Sequence, residues 1–90
     1  MQIWKYDMRQ ESHMMPIGAT VLTAQTQRGN IFIWAMVDPN MALVERKFEV
    51  VGTGHDFNGG IYIGTAQVDW MVFHVFEVTD SRTVLPTMVG

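Results

Sequence analysis

IFIWAMV, residues 31–37, is apolar at every position. Successive strand side chains point to opposite faces, so a run with no polar alternation describes a strand covered on both sides. Its flanks fix its limits. Arg28-Gly29-Asn30 is a turn signal, and the preceding TVLTAQTQ (20–27) is β-branched and half polar, with Leu22 and Ala24 on one face. The two segments therefore read as a hairpin with a short glycine-containing loop. Asp38-Pro39-Asn40 closes the run, because proline cannot donate to a β-ladder. Asp38 as a cap, with Pro39 behind it, predicts one helical turn through MALVERK (41–47), in competition with an alternating strand RKFEVV (46–51).

Further strands are signalled by IWKY (3–6), IYIGTAQ (61–67) and WMVFHVFEV (70–78). The last is again apolar on both parities, with Trp70, Val72, His74, Phe76 and Val78 on one side and Met71, Phe73 and Val75 on the other. No stretch of about 11 residues carries a 3.6-residue apolar stripe. The expected fold is all-β, a small antiparallel sandwich or partly open barrel of five to six short strands. One domain spans 1–78, and 79–90 form a C-terminal tail, either a loose end or a partner-docking segment. Two strands apolar on both faces exceed what one small sheet can hide, which predicts a homo-oligomer.

Composition narrows the class. The chain has 90 residues, 48% of them hydrophobic, which suits one small folded domain and excludes disorder. It has no cysteine, hence neither a disulfide framework nor thiolate metal ligands. The formal charge is -3, and the six Lys plus Arg are scattered, which argues against a duplex nucleic-acid face. No apolar run reaches the roughly 20 residues of a membrane helix, and MQIWKYDMRQ lacks a signal-peptide layout.

The ordered motifs IWKY (3–6), MP-I-GA (15–19), WAMVDP (34–39), FEVVGTGH (48–55), YIGT (62–65) and VFHVFEV (72–78) resemble a family of short uncharacterised bacteriophage and prophage proteins, known only as a domain of unknown function. The resemblance covers about residues 1–78 and implies a protein made in a bacterial host, acting in the host cytoplasm. It brings no catalytic residues. It also implies a glycine-containing turn at 66–69, where this chain has AQVD.

GTGHDFNGG (52–60) gathers four glycines with His55, Asp56, Phe57 and Asn58. It is neither a dinucleotide fingerprint, since Phe57 stands where a third glycine belongs, nor a P-loop, since no Lys-Ser or Lys-Thr follows. Two readings remain: a bent connection between strands, or a nest of backbone N–H groups facing a small anion. In the second, Gly54 and Gly59 amides hold a phosphate, His55 and Asn58 orient the ligand, Phe57 or Tyr62 stacks on it, and Arg46 pairs the charge. His74, within a strand, reads as a core or interface imidazole, and His13 as a solvated one. His55 and Asp56 alone do not assemble a metal site, and Ser12-His13 point to opposite sides of a strand and make no dyad. No cofactor is expected.

The leading expectation is a non-enzymatic phage accessory protein that binds a small anionic ligand as an oligomer. A nucleotide sponge against host defence is its concrete form, and that step is analogy alone. The alternative is a protein-interaction module that inhibits a host protein or serves as a minor virion component. A third reading, a hydrolase using His55 and Asp56, predicts turnover lost on His55→Ala.

Overall fold

In a computed structural model, which describes residues 1–79, the chain forms seven strands. These are β1 (Gln2–Asp7), β2 (Ser12–Pro16), β3 (Thr20–Gln27), β4 (Asn30–Val37), β5 (Leu43–Gly52), β6 (Ile61–Val68) and β7 (Met71–Val78). They pair antiparallel into two sheets, β1-β4-β3 and β2-β5-β7-β6, layered as a sandwich. All-β architecture was legible in the sequence; the strand count was not. The additional strand is β2, whose SHMMP lacks alternation. It lies at a sheet edge and pairs only with β5, so the N–H that Pro16 lacks removes no ladder bond on the open side. The expected tail falls mostly on residues 80–90, outside the described residues.

β4 supplies the centre of the core. Ile31, Ile33, Ala35 and Val37 are buried and face the second sheet, where Phe48 and Val75 meet them. Met8, Met15, Ala24 and Ala66 complete the cluster. Phe32, Trp34 and Met36 point the other way, out of the sandwich.

The β3–β4 hairpin closes through Arg28 and Gly29, with φ of 53° and 77°. Two positive-φ residues match the right-handed twist of the flanking strands, the geometry of a type I′ turn. A β-bulge between Val21 and Thr23 corrects the expected pairing of Leu22 with Ala24 on one face: Ala24 is buried, and Leu22 is pushed out of phase and exposed. The helical turn expected over MALVERK is also corrected. Asp38 accepts hydrogen bonds from the amides of Asn40 and Met41, at its carboxylate and its carbonyl respectively, and forms a turn that leads directly into β5. The β6–β7 hairpin turns at Asp69-Trp70, with Asp69 taking φ of 55° in place of the implied glycine.

The sheets touch along β3 and β6. Ala24 and Ala66 are small, and Gly64 lies so near β3 that a Cβ on it would sit 3.2 Å from the Ala24 amide nitrogen. Thr26 Oγ1 donates across this seam to the Gln67 carbonyl at 2.7 Å.

Candidate functional site

β5 and β6 both run antiparallel to β7, and hence parallel to each other. Residues 53–60 must therefore travel back along β7. GTGHDFNGG is a crossover, not a hairpin turn, and this accounts for several of its glycines. The chain leaves β5 by a tight turn in which the His55 amide donates to the Gly52 carbonyl at 3.0 Å. The His55 imidazole rests where a Gly52 side chain would be, with Nδ1 3.2 Å from that position. Gly54 and Gly59 have positive φ, 89° and 92°. At Gly60 a Cβ would lie 2.5 Å from the Glu77 carbonyl oxygen, so only glycine lets the loop rejoin the sheet there. Between these points Asp56, Phe57 and Asn58 are exposed.

The loop covers part of the outer face of the four-stranded sheet. Phe57 lies over Phe76 with ring centroids 4.5 Å apart, and Tyr62 meets Phe76 edge-on at 5.7 Å. Val51, directly opposite His74 in the ladder, is buried. Beside the aromatics runs a chain of polar contacts. Tyr62 Oη lies 2.5 Å from Thr65 Oγ1, which lies 3.0 Å from His74 Nδ1. On the other side of the ring, His74 Nε2 lies 2.9 Å from Thr53 Oγ1, whose hydroxyl donates to the Val72 carbonyl at 3.2 Å.

Proton counting orients this chain. Thr53 has one proton, given to Val72, so its oxygen accepts from His74 Nε2–H. In the tautomer with the proton on Nε2, Nδ1 accepts from the Thr65 hydroxyl, and Thr65 accepts from Tyr62. Every donor is used internally, and the array presents the outside with the lone pairs of the Tyr62 oxygen. It anchors the loop's entry to the sheet. No nucleophile in it is paired with a base and an oxyanion donor, the arrangement acyl transfer uses.

Arg46 lies elsewhere. It sits opposite His13 on the face turned toward the other sheet, and forms a double ion pair with Glu77: Nε to Oε2 and Nη2 to Oε1, both 2.7 Å. Nη1 donates to the Ala19 carbonyl at 2.6 Å. The hydrogen bonds that Arg46 donates to Glu77 raise the guanidinium pKa above its ordinary value. The sequence-predicted site is thus divided. Phe57 and Tyr62 meet through Phe76; Gly54, His55, Asn58 and Gly59 follow one another along the exposed loop; Arg46 is across the sheet with its charge already compensated. Phe76, His74, Thr53 and Thr65 were missed as neighbours. The turn held the signal: closing the hairpin at Asp69-Trp70 sets Thr65 opposite His74. His74 thus has two hydroxyl partners, and His13 is not solvated, since its Nε2 lies 2.8 Å from the Asp7 carbonyl beside the Tyr6 ring.

The second candidate surface is the outer face of the three-stranded sheet. Ile3, 61% exposed, is directly paired with Met36, 36% exposed, and Trp34 and Phe32 continue the row along β4. Lys5 partly shields one end, its ammonium 4.8 Å over the Phe32 ring and donating to Gln27. The Ile3–Trp34–Met36 end has no such cover among the described residues. The two doubly apolar strands therefore differ: part of the outer face of β7 is covered by the chain's own crossover, whereas on the outer face of β4 Met36 is exposed, Trp34 is half-buried and Phe32 is shielded by Lys5.

Among the described residues no group of three or more His, Cys, Asp or Glu side chains is arranged to hold a metal ion, and no helix is long and apolar enough to cross a membrane. A family model described as a domain of unknown function, DUF7352, matches residues 1–85. No curated protein and no solved structure matches the chain.

Proposed function

This chain belongs to the DUF7352 family of unknown function, and we propose that it is a non-enzymatic protein-interaction module whose docking surface is the outer face of the three-stranded sheet. The carrying observation is the Ile3–Trp34–Met36 row, with Ile3 and Met36 exposed and Trp34 half-buried beside them. Contiguous apolar surface on a small domain is unfavourable in water and is characteristic of a contact with another protein. Trp34 at its centre is the residue type that most often anchors such contacts. The resemblance of the motifs to short phage and prophage proteins supports the setting, a bacterial host cytoplasm in which the partner is a host protein.

The test uses the double variant Ile3→Lys/Met36→Lys, which charges the row without touching the core. Immobilised wild-type protein should retain one stoichiometric protein from host lysate, and the variant should release it while keeping the wild-type melting curve. Retention by the variant, or no retained protein with wild type, overturns the proposal.

A second reading draws on the Phe57–Phe76–Tyr62 cluster, which offers aromatic surface to a nucleobase. It is the small-ligand expectation with the phosphate held by loop amides and without Arg46. Calorimetry against cyclic and linear nucleotides separates the two: heat that disappears with Phe57→Ala supports the ligand, and its absence leaves the protein partner.

A further inference from the structure

At the end of the sandwich where the β3–β4 and β6–β7 hairpins lie side by side, the two sheets part around an open cleft of about 280 Å³. Met8 and Ile31 line it from one sheet, Val50, Val68 and Phe73 from the other, with Met71 at its wall and Arg9 and Asn30 at the rim. The lining is almost wholly apolar. Directly beside it, at the tip of the β6–β7 turn, Trp70 is 84% exposed. An indole held in water by a two-residue turn has little packing role among the described residues. Val68 and Met71, which form part of the cleft wall, are the residues on either side of that turn.

We propose that the cleft receives Trp70 from a second copy of this chain, in a reciprocal exchange about a two-fold axis passing close to Met71. A projecting apolar group and an apolar hole on one surface are self-complementary, which is the requirement of an isologous contact. Charge agrees with this occupant. Asp69 travels with Trp70 on the turn, and Arg28 directly precedes Gly29, a residue of the cleft lining, in the β3–β4 turn. Neither Asp69 nor Arg28 forms an ion pair among the described residues. Arg9, also at the rim, already donates to both carboxylate oxygens of Asp7.

The expected area sets the strength. A tryptophan buries roughly 150–250 Å², so two of them and the walls they cover bury on the order of 1,000 Å² in total, at the small end of specific interfaces. The dimer is accordingly weak and forms with concentration. It uses a different surface from the docking face proposed above, so either can fail alone.

Sedimentation of the full chain from about 10 μM to 1 mM should show a monomer–dimer equilibrium. Trp70→Ala should weaken it at least ~30-fold, the loss typical of a central aromatic anchor, with the far-ultraviolet dichroism unchanged. Arg28→Asp should weaken it as well, and Arg28→Asp/Asp69→Arg should restore it, a rescue that a purely structural role would not give. A monomer at every concentration overturns the proposal. So does a dimer indifferent to Trp70→Ala, which would place the contact on another face. Undiminished dimerisation in the presence of saturating indole, which fits the same cleft, also overturns it.

Discussion

The Tyr6 hydroxyl is buried and has no hydrogen-bond partner among the described residues. Burial raises its pKa, and the nearby Arg46 cation pulls in the opposite direction with smaller effect. An unpaired buried hydroxyl is a liability, so Tyr6→Phe should leave stability unchanged or raise it by up to about 1 kcal/mol in urea denaturation. The pH dependence has a definite sign. A pKa raised in the folded state contributes stability that is complete below the unfolded tyrosine value, near 10, and is lost as pH rises through the folded value. The wild type should therefore weaken on the alkaline side of about pH 10, and Tyr6→Phe should weaken less. Equal alkaline loss in both proteins would place the sensitive group elsewhere. Single residues were unevenly readable. Phe57 and Tyr62 could be named from composition, because aromatics beside a glycine-rich loop have few places to go. Arg46 could not be placed, because its neighbour Glu77 is 31 residues away and only the pairing of β5 with β7 brings them together.

At the scale of elements, the turns carried most of the information. The Arg28-Gly29-Asn30 signal gave the β3–β4 hairpin but not its exact limits: the loop is the two residues Arg28 and Gly29, and Asn30 already pairs with Gln27 in the ladder. Arg28 nevertheless pays for its left-handed conformation, which asparagine adopts more readily. Arg28→Asn should raise stability by about 0.5–1 kcal/mol, measured by thermal melting at a concentration where the chain is monomeric; a lower melting temperature would mean that the arginine side chain contributes more than the turn. β2 escaped notice for a physical reason. An edge strand needs only one partner, and its side chains need no strict alternation, so SHMMP has no pattern that periodicity can find. The glycine loop was legible as unusual and illegible as a crossover, since nothing local states which strands it joins.

For the molecule as a whole, the seam between β3 and β6 decides how closely the sheets approach. Gly64→Val would drive methyl groups into the backbone at Ala24 and should destabilise by about 1–3 kcal/mol, read as a lower urea midpoint; an unchanged midpoint would show that the seam yields. The sandwich itself could be inferred from sequence, since short strands without helices leave few layered arrangements. The order within each sheet could not, because it depends on contacts far apart along the chain. That order also constrains synthesis. β7 is the last of the seven strands to leave the ribosome, yet its place is between β5 and β6. Until it arrives, both neighbours hold an unfilled edge, and the C-terminal half waits as an open slot. At high expression that slot is open to the equivalent strand of another nascent copy, in competition with its own β7 tethered by the short β6–β7 turn, so crowded translation should raise the yield of intertwined chains, read by size-exclusion chromatography.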